Sequence, residues 1–248
     1  MKVSIITVVY NNASTILSAI DSVYHQTYKN VEHIIIDGNS SDGTLDVIKS
    51  DIYKISILKS EVDSGIYDAM NKGISLASGE ILAILNSDDI FYDNNIISEV
   101  VSQFEFDPYL DILFGNIVYV KHENTNSVVR KWISRAYYTN FFEDGHVPPH
   151  PSLFLRKSVY ERHGLFNLRY KLAADYEFML RIFKSGVNKS IYVNRTIVKM
   201  RLGGATNKSF RNIIRGNKEI FEAWIDNGYN VPILLFVKRF FRRISQFI

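Results

Sequence analysis

Ile81-Leu82-Ala83-Ile84-Leu85-Asn86-Ser87-Asp88-Asp89 runs five apolar residues straight into a pair of acids. An apolar run of this length reads as a buried strand of a mainly parallel sheet. Ligands of such sheets bind at the carboxyl ends of the strands, which is where the acids stand. Adjacent carboxylates repel one another unless something positive sits between or beside them. The usual occupant is a hard divalent cation, which prefers oxygen ligands and often shares itself with substrate phosphates. An acidic pair after a strand also serves as a helix N-cap, so its meaning depends on the rest of the chain.

Upstream, strand-like and helix-like segments alternate. Strands are expected at Val3–Val9, Val31–Asp37, Ile55–Leu58 and Glu80–Leu85. Helical apolar spacing appears in Ser14–His25, from Thr44, in Gly65–Ala77 and in Asn94–Phe104. This βαβαβαβα pattern predicts an α/β fold with a mainly parallel sheet and helices on both faces. Past residue 110 the pattern changes. Strands are expected at Ile112–Val120, Ser152–Leu155, 190–193 and 196–202, and helices at Lys157–His163, Ala173–Lys184 and about 208–227, with 121–149 polar and irregular. The division expected is one catalytic domain over residues 1–205, with halves 1–110 and 111–205, and a helical, basic extension over 206–248.

The 248 residues are 46% hydrophobic and 22% charged, ordinary for a globular chain with a sizeable core. There is no cysteine, which excludes disulfide frameworks and thiolate metal sites and fits a reducing compartment. Lys2 leads directly into the first strand, so no signal peptide is read, and no apolar stretch reaches membrane-spanning length. The net charge of +3 hides an asymmetry: residues 1–177 balance at −8 and residues 178–248 at +11. That polarity suggests an anionic partner for the C-terminal part. In the tail 231–248, Lys238, Arg239, Arg242 and Arg243 oppose an apolar stripe of Ile233, Val237, Phe240, Ile244 and Phe247. Such a helix suits the surface of an anionic membrane, or else packs on the protein's own core. No nucleic-acid motif accompanies the charge, so nucleic acid is not expected as a partner.

Three sites at strand ends fall on one edge of a parallel sheet: Thr7–Asn11 (with Val9 and Tyr10), Asp37, and Asp88-Asp89. Together they suit a nucleoside diphosphate, with one carboxylate for the base or ribose and another reaching the diphosphate through a cation. Neither G-x-G-x-x-G nor Gly-x4-Gly-Lys-Ser/Thr is present, which counts against dinucleotide enzymes and P-loop NTPases.

Four motifs stand in order: Val3–Asn11, Ile36-Asp37-Gly38-Asn39-Ser40-Ser41-Asp42-Gly43-Thr44, Asp63–Gly73 and Leu85–Asp89. From residue 2 to about 205 the chain resembles the family 2 glycosyltransferases of the GT-A fold. The resemblance implies a nucleotide-sugar donor, a Mg²⁺ or Mn²⁺ ion and inversion at the anomeric carbon. By position it makes Asp37 the carboxylate that reads the base, puts Asp88 nearer the ribose and makes Asp89 the metal ligand. The chain departs from the commoner Asp-Asp-Gly-Ser form in having Asp37-Gly38-Asn39-Ser40, so one of two usual acids is missing.

The attacking acceptor hydroxyl must lose a proton, and a positioned carboxylate can take it. The family's base falls, by resemblance, on Asp175 in Ala173-Ala174-Asp175-Tyr176-Glu177, with Glu177 on another face of the helix. His150 is a further candidate for contact with the metal or diphosphate, Asp63 and Asp68 for donor-sugar contact or helix capping, Tyr10 for stacking on the base, and Gly203-Gly204 for a turn over the site. The implied function is transfer of a hexose or N-acetylhexosamine, UDP-linked by default, to a polyprenyl-diphosphate-linked saccharide of a surface polysaccharide or O-antigen. That work would be done in the cytoplasm, peripheral to the inner face of the plasma membrane. The readings that compete are a nucleotidylyltransferase, a phosphatase using Asp37, and a non-catalytic carbohydrate-binding or scaffold subunit that keeps the fold.

Overall fold

Val3-Ser4-Ile5-Ile6-Thr7-Val8-Val9 forms β1, and every one of its side chains is buried. Such a strand must be covered on both faces and paired on both edges, and it is. The computed structural model, which describes residues 1–203, 210–244 and 246, sets β2 (Val31–Asp37) and β4 (Ile81–Ile84) parallel to β1 on either side. β3 (Ile57–Ser60) lies parallel to β2, so the first half has the strand order β3-β2-β1-β4.

Alternation along β1 sorts its side chains between two layers. Ile6 and Val8 meet Met70 and Ile74 of α3 (Ile66–Leu76) in one cluster, while Val9 meets Ile16, Ile20 and Ile48 of α1 (Ile16–Tyr24) and α2 (Thr44–Ser50) in another. Gly73 is what lets α3 lie on the sheet, because a methyl group there would run into Ile6. The expected α/β architecture, with a mainly parallel sheet and helices on both faces, is therefore found.

Beyond β4 the sheet becomes mixed. β8 (Phe154–Arg156) pairs antiparallel with both β4 and β6 (Ile112–Val120), and β6 runs parallel to β9 (Ser190–Arg201). Both halves of the chain thus share one sheet of nine strands among the described residues. Several expectations need correction. The strands expected at 190–193 and 196–202 are one strand, carried past Asn194 by register shifts against β6. The stretch 121–149 contains β7 (Val128–Trp132), paired with β6. β8 starts at Phe154, after a 3-10 turn at His150–Ser152. The two-residue β5 (Ile90–Phe91), directly after the acidic pair, pairs antiparallel with β9.

The remaining helices are α4 (Ile96–Phe106), α5 (Lys157–His163), α6 (Ala174–Lys184), α7 (Phe210–Asp226) and α8 (Leu235–Ile244). The expected boundary at 205, Gly204, and Phe247 of the apolar stripe lie outside the described residues. α7 packs on α6, where buried Trp224 donates from Nε1 to the hydroxyl of Tyr176 at 2.9 Å. α8 is docked rather than detached. Leu235 is fully buried, Arg239 lies over the Tyr176 ring and Lys238 pairs with Asp144 at 2.8 Å.

Much of the C-terminal positive charge finds acids within the chain. Arg195 pairs with Asp93 and Glu99, Lys189 with Asp107, Lys184 with Glu143 and Arg181 with Glu177. The charge asymmetry of the sequence is thus in good part the complementarity of two packed segments.

Candidate active site

The loops that follow β1, β2 and β4 meet at the carboxyl edge of the parallel strands and are sewn together by polar side chains. Asn11 N–H donates to Ser40 Oγ at 2.8 Å, and Asn11 Oδ1 accepts from Ser41 N–H at 2.9 Å. Asn12 Nδ2 donates to Ser87 Oγ at 2.9 Å, and Thr15 Oγ1 to the Ser87 carbonyl at 2.9 Å. Asn11 and Asn39 hold positive φ, 49° and 64°, a conformation that Asn tolerates better than most residues. Backbone of this kind collects where a fold shapes a site.

Asp89 has no exposed surface. Its Oδ1 accepts from Arg201 N–H at 3.3 Å and its Oδ2 from Asn86 Nδ2 at 3.2 Å. Burial, and then the charge of Asp88, push its pKa well above the usual carboxylate value. Asp88 is half-buried. The positive group beside the acids is Arg201, brought there because β5 pairs with the end of β9. Its guanidinium donates to the Asp88 carbonyl at 2.6 Å, the His122 carbonyl at 3.1 Å and Ser18 Oγ at 3.0 Å.

No group of three or more His, Asp or Glu able to hold a metal by itself occurs among the described residues. What is present fits a hard cation completed by substrate phosphates and water: one half-exposed carboxylate, one buried carboxylate with raised proton affinity, and Asn86 Oδ1, buried without a partner.

Asp175 stands in the first turn of α6. Tyr67 of α3 donates from its hydroxyl to Asp175 Oδ1 at 3.0 Å. The backbone entering α6 is gripped by Glu219 of α7, whose Oε2 accepts from the N–H groups of Lys171, Leu172 and Ala173 at 2.7–3.0 Å. Glu177 points elsewhere, pairing with Arg181 at 2.9 Å and accepting from Asn227.

The sequence model of the family described as glycosyl transferase family 2 matches residues 4–164. This chain is a family 2 glycosyltransferase. It is 27% identical over 208 residues to the PGL/p-HBAD biosynthesis glycosyltransferase Rv2957 of Mycobacterium tuberculosis, covering 82% of this chain and 78% of the relative. It is 34% identical over 133 residues to WfgD of Escherichia coli, a UDP-Glc:alpha-D-GlcNAc-diphosphoundecaprenol beta-1,3-glucosyltransferase, covering 53% and 51%. The fold matches that of S. aureus TarS 1-349 in complex with UDP-GlcNAc, with a TM-score of 0.72 at 14% identity over 99% of this chain and 73% of that one. The chain spans 44% of the longer S. aureus TarS chain. The mannosyltransferase PcManGT of Pyrobaculum calidifontis, in complex with GDP-Man and Mn2+, matches with a TM-score of 0.67 at 17% identity over 99% and 70%.

Not every sequence candidate of this glycosyltransferase faces the crevice. Thr7 is fully buried and its hydroxyl meets His33 Nε2 at 3.0 Å; burial holds that imidazole neutral, with a pKa down to about 3. Val9 packs into the α1–α2 cluster, and its carbonyl accepts from Gly38 N–H at 2.9 Å. The physical reason is shared: both faces of β1 are covered, so neither side chain has an open side.

Asp37 is buried too, with its oxygens taken up by Ser40 N–H and by the hydroxyls of Ser40 and Ser60, at 2.5 and 2.6 Å. Tyr10, by contrast, is 65% exposed at the mouth. Asp68 caps α3, accepting from Ser64 N–H at 2.9 Å and pairing with Lys72. His150 borders a small apolar space with Ile84, Leu153, Leu155, Tyr160 and Phe178, and lies edge-on to Phe166. Burial lowers its pKa while the charge of Asp175, close enough to act on it, draws it back up. The groups that sequence reasoning missed are Tyr67 and Arg201, which act on Asp175 and on the Asp88-Asp89 pair, and Glu219, which acts on the backbone leading into α6, each far away in the chain.

Proposed function

We propose that this glycosyltransferase moves a hexose or N-acetylhexosamine from a nucleotide-sugar, UDP-linked, to a hydroxyl of a polyprenyl-diphosphate-linked saccharide, with inversion in a single displacement. The observation that carries the reading is the hydrogen bond from Tyr67 to Asp175. It ties the proposed base to the helix that opens beside the donor edge, so acceptor and donor chemistry would meet in one crevice.

In this reading Asp175 takes the proton of the acceptor hydroxyl as that oxygen attacks the anomeric carbon from the face opposite the diphosphate. Tyr67 holds one carboxylate oxygen, leaving the other for the hydroxyl. Asp88 and Asp89 would hold Mn²⁺ or Mg²⁺, which when bound draws charge off the departing diphosphate as a Lewis acid. Tyr10 and Asp63 flank the nucleoside end, and His150 lines the sugar side near Asp175. The lipid-linked acceptor is supported by the activity named for WfgD, and a nucleotide-sugar donor by the UDP-GlcNAc complex of TarS.

A peripheral site of action at the inner face of the membrane follows from such an acceptor. Among the described residues no helix is long and apolar enough to cross a membrane. Ile233, Leu234, Val237, Phe240, Phe241 and Ile244 are instead left exposed beside the docked face of α8, and support contact with a lipid surface.

The test is transfer of radiolabelled sugar from UDP-glucose, UDP-galactose or UDP-N-acetyl sugars to a synthetic polyprenyl-diphosphate saccharide, with the anomeric configuration of the product read by NMR. Metal-dependent transfer with inversion supports the reading. A retained configuration, or no transfer from any donor in the presence of Mn²⁺, would overturn it.

A further inference from the structure

The donor edge has a gap at Gly38, and two side chains from neighbouring loops look into it. A methyl group built on Gly38 would lie 2.5 Å from Asp63 Oδ2 and 3.3 Å from Cδ2 of the Tyr10 ring. Tyr10 is the first residue past β1, Gly38 the first past β2, and Asp63 stands three residues past β3. These three strands are adjacent and parallel, so the residues gather at one point of the crevice mouth.

The two oxygens of Asp63 differ. Oδ1 accepts from Gly65 N–H at 2.8 Å and so helps to open α3, whereas Oδ2 takes no hydrogen bond among the described residues and faces the gap. Asp37, the base reader suggested by resemblance, has neither exposure nor an idle oxygen, since Ser40 and Ser60 occupy both. In the chain's Asp-Gly-Asn-Ser variant of the motif, a carboxylate from another loop stands over the position that lacks a side chain.

Resting on the nucleotide-sugar reading above, we propose that Asp63 selects the donor's base, its Oδ2 accepting an imide N–H while the ring of Tyr10 stacks on the base. An ionised carboxylate can only accept hydrogen bonds. Uracil and thymine present N3–H, and guanine presents N1–H with its exocyclic amine; cytosine presents a lone pair at N3, which a carboxylate repels, and can donate only from the neighbouring N4 amine. The subsite is therefore specific for uridine, thymidine or guanosine donors against cytidine ones. An exposed aromatic face tolerates any base, which leaves the choice to the carboxylate.

The experiment is calorimetric binding of UDP, dTDP, GDP, CDP and pyrophosphate, with Mn²⁺, to the wild type, Asp63→Asn and Gly38→Ala. Asparagine keeps an Oδ1 for Gly65 and turns an amide N–H₂ toward the base. The wild type is expected to favour one imide nucleotide over CDP by about tenfold or more, the scale of one charge-assisted hydrogen bond. Asp63→Asn should collapse that ratio by about tenfold, weakening the imide nucleotide and strengthening CDP. Gly38→Ala, by displacing Oδ2, should weaken the imide nucleotide and leave pyrophosphate unchanged.

An unchanged ratio in an Asp63→Asn protein that melts at the wild-type temperature overturns the assignment. Pyrophosphate binding with equal affinity for UDP, dTDP, GDP and CDP in the wild type overturns it as well, while leaving the donor site standing. No binding of any nucleotide or of pyrophosphate removes the donor site itself, and this inference with it.

Discussion

Tyr67 and Asp175 are 108 residues apart in the chain and 3.0 Å apart in space, hydroxyl to carboxylate. Tyr67 is buried, and the neighbouring Asp175 charge, after burial itself, raises its pKa well above that of an ordinary tyrosine, so it remains a hydrogen-bond donor at any physiological pH. A donor that never ionises fixes the carboxylate's orientation and leaves its other oxygen for the proton-accepting role proposed above. Asp175→Asn is expected to lower kcat by about 10²–10⁴ and leave nucleotide binding nearly unchanged. Tyr67→Phe, which keeps the ring, should lower kcat by about tenfold with the donor KM unaltered, because only orientation is lost. Steady-state kinetics on the two variants separates these effects, and a Tyr67→Phe enzyme with normal kcat would remove Tyr67 from the account.

Glu219 holds the three N–H groups that lead into α6, so the helix that carries the proposed base is anchored from α7. Glu219→Ala strands the buried N–H of Ala173 and the partly buried N–H groups of Lys171 and Leu172, a cost of about 1–3 kcal/mol. For a chain of this size that corresponds to a melting temperature lower by roughly 2–12 °C. Calorimetry should show that drop together with a fall in kcat; a fall in melting temperature with full kcat would confine Glu219 to stability.

The acidic pair makes a prediction about pH. Asp89 has its pKa raised above 3.8, by burial first and then by Asp88. Below that value both folded and unfolded chains carry the proton, and Asp89 costs nothing. As pH rises the unfolded chain releases its proton first, so stability declines until the folded pKa has been passed. Asp89→Asn should therefore raise the melting temperature of the metal-free protein at pH 7, by about 2–4 °C for each kcal/mol relieved, and change it little near pH 3. The new amide can be met by Asn86 Oδ1, which has no partner in the wild type. A lower melting temperature at pH 7 would mean that the carboxylate is stabilising as it stands.

The tail can be tested apart from catalysis. Phe240 and Phe241 are exposed on α8, while Leu235 anchors the same helix to the core. Replacing both phenylalanines by serine should reduce cosedimentation with anionic vesicles by about tenfold or more, since each loses apolar area available to lipid. Binding that persists would shift the contact to another surface.

Much of this architecture can be read from local pattern, and the site only in part. The strands β1, β2 and β4 are legible because strand-length stretches rich in Ile, Val and Leu end at acids or turn residues. β5 has two residues, too few to carry a period, yet it is what draws Arg201 over Asp88 and Asp89. Thr7 and Val9 look like crevice residues because they end the first strand. In a strand covered on both faces, alternation does not say which side chain reaches solvent. Tyr67, Arg201 and Glu219 act on groups 108, 112 and 46–48 residues away, across packing that no window of sequence contains. Basic residues near the C-terminus suggest an anionic partner, but charge counts cannot tell that Lys184, Arg195 and Lys238 are already paired with acids of the same chain.

The most direct test of the account is calorimetric titration of UDP, dTDP and GDP, with Mn²⁺ and with chelator, into the wild type, Asp88→Asn and Asp89→Asn. The expected result is binding of one nucleotide that weakens about tenfold or more when the metal is removed or either acid is neutralised. Equal affinity with chelator, or in both variants, would contradict the account and leave Asp88 and Asp89 as a structural turn held by Arg201.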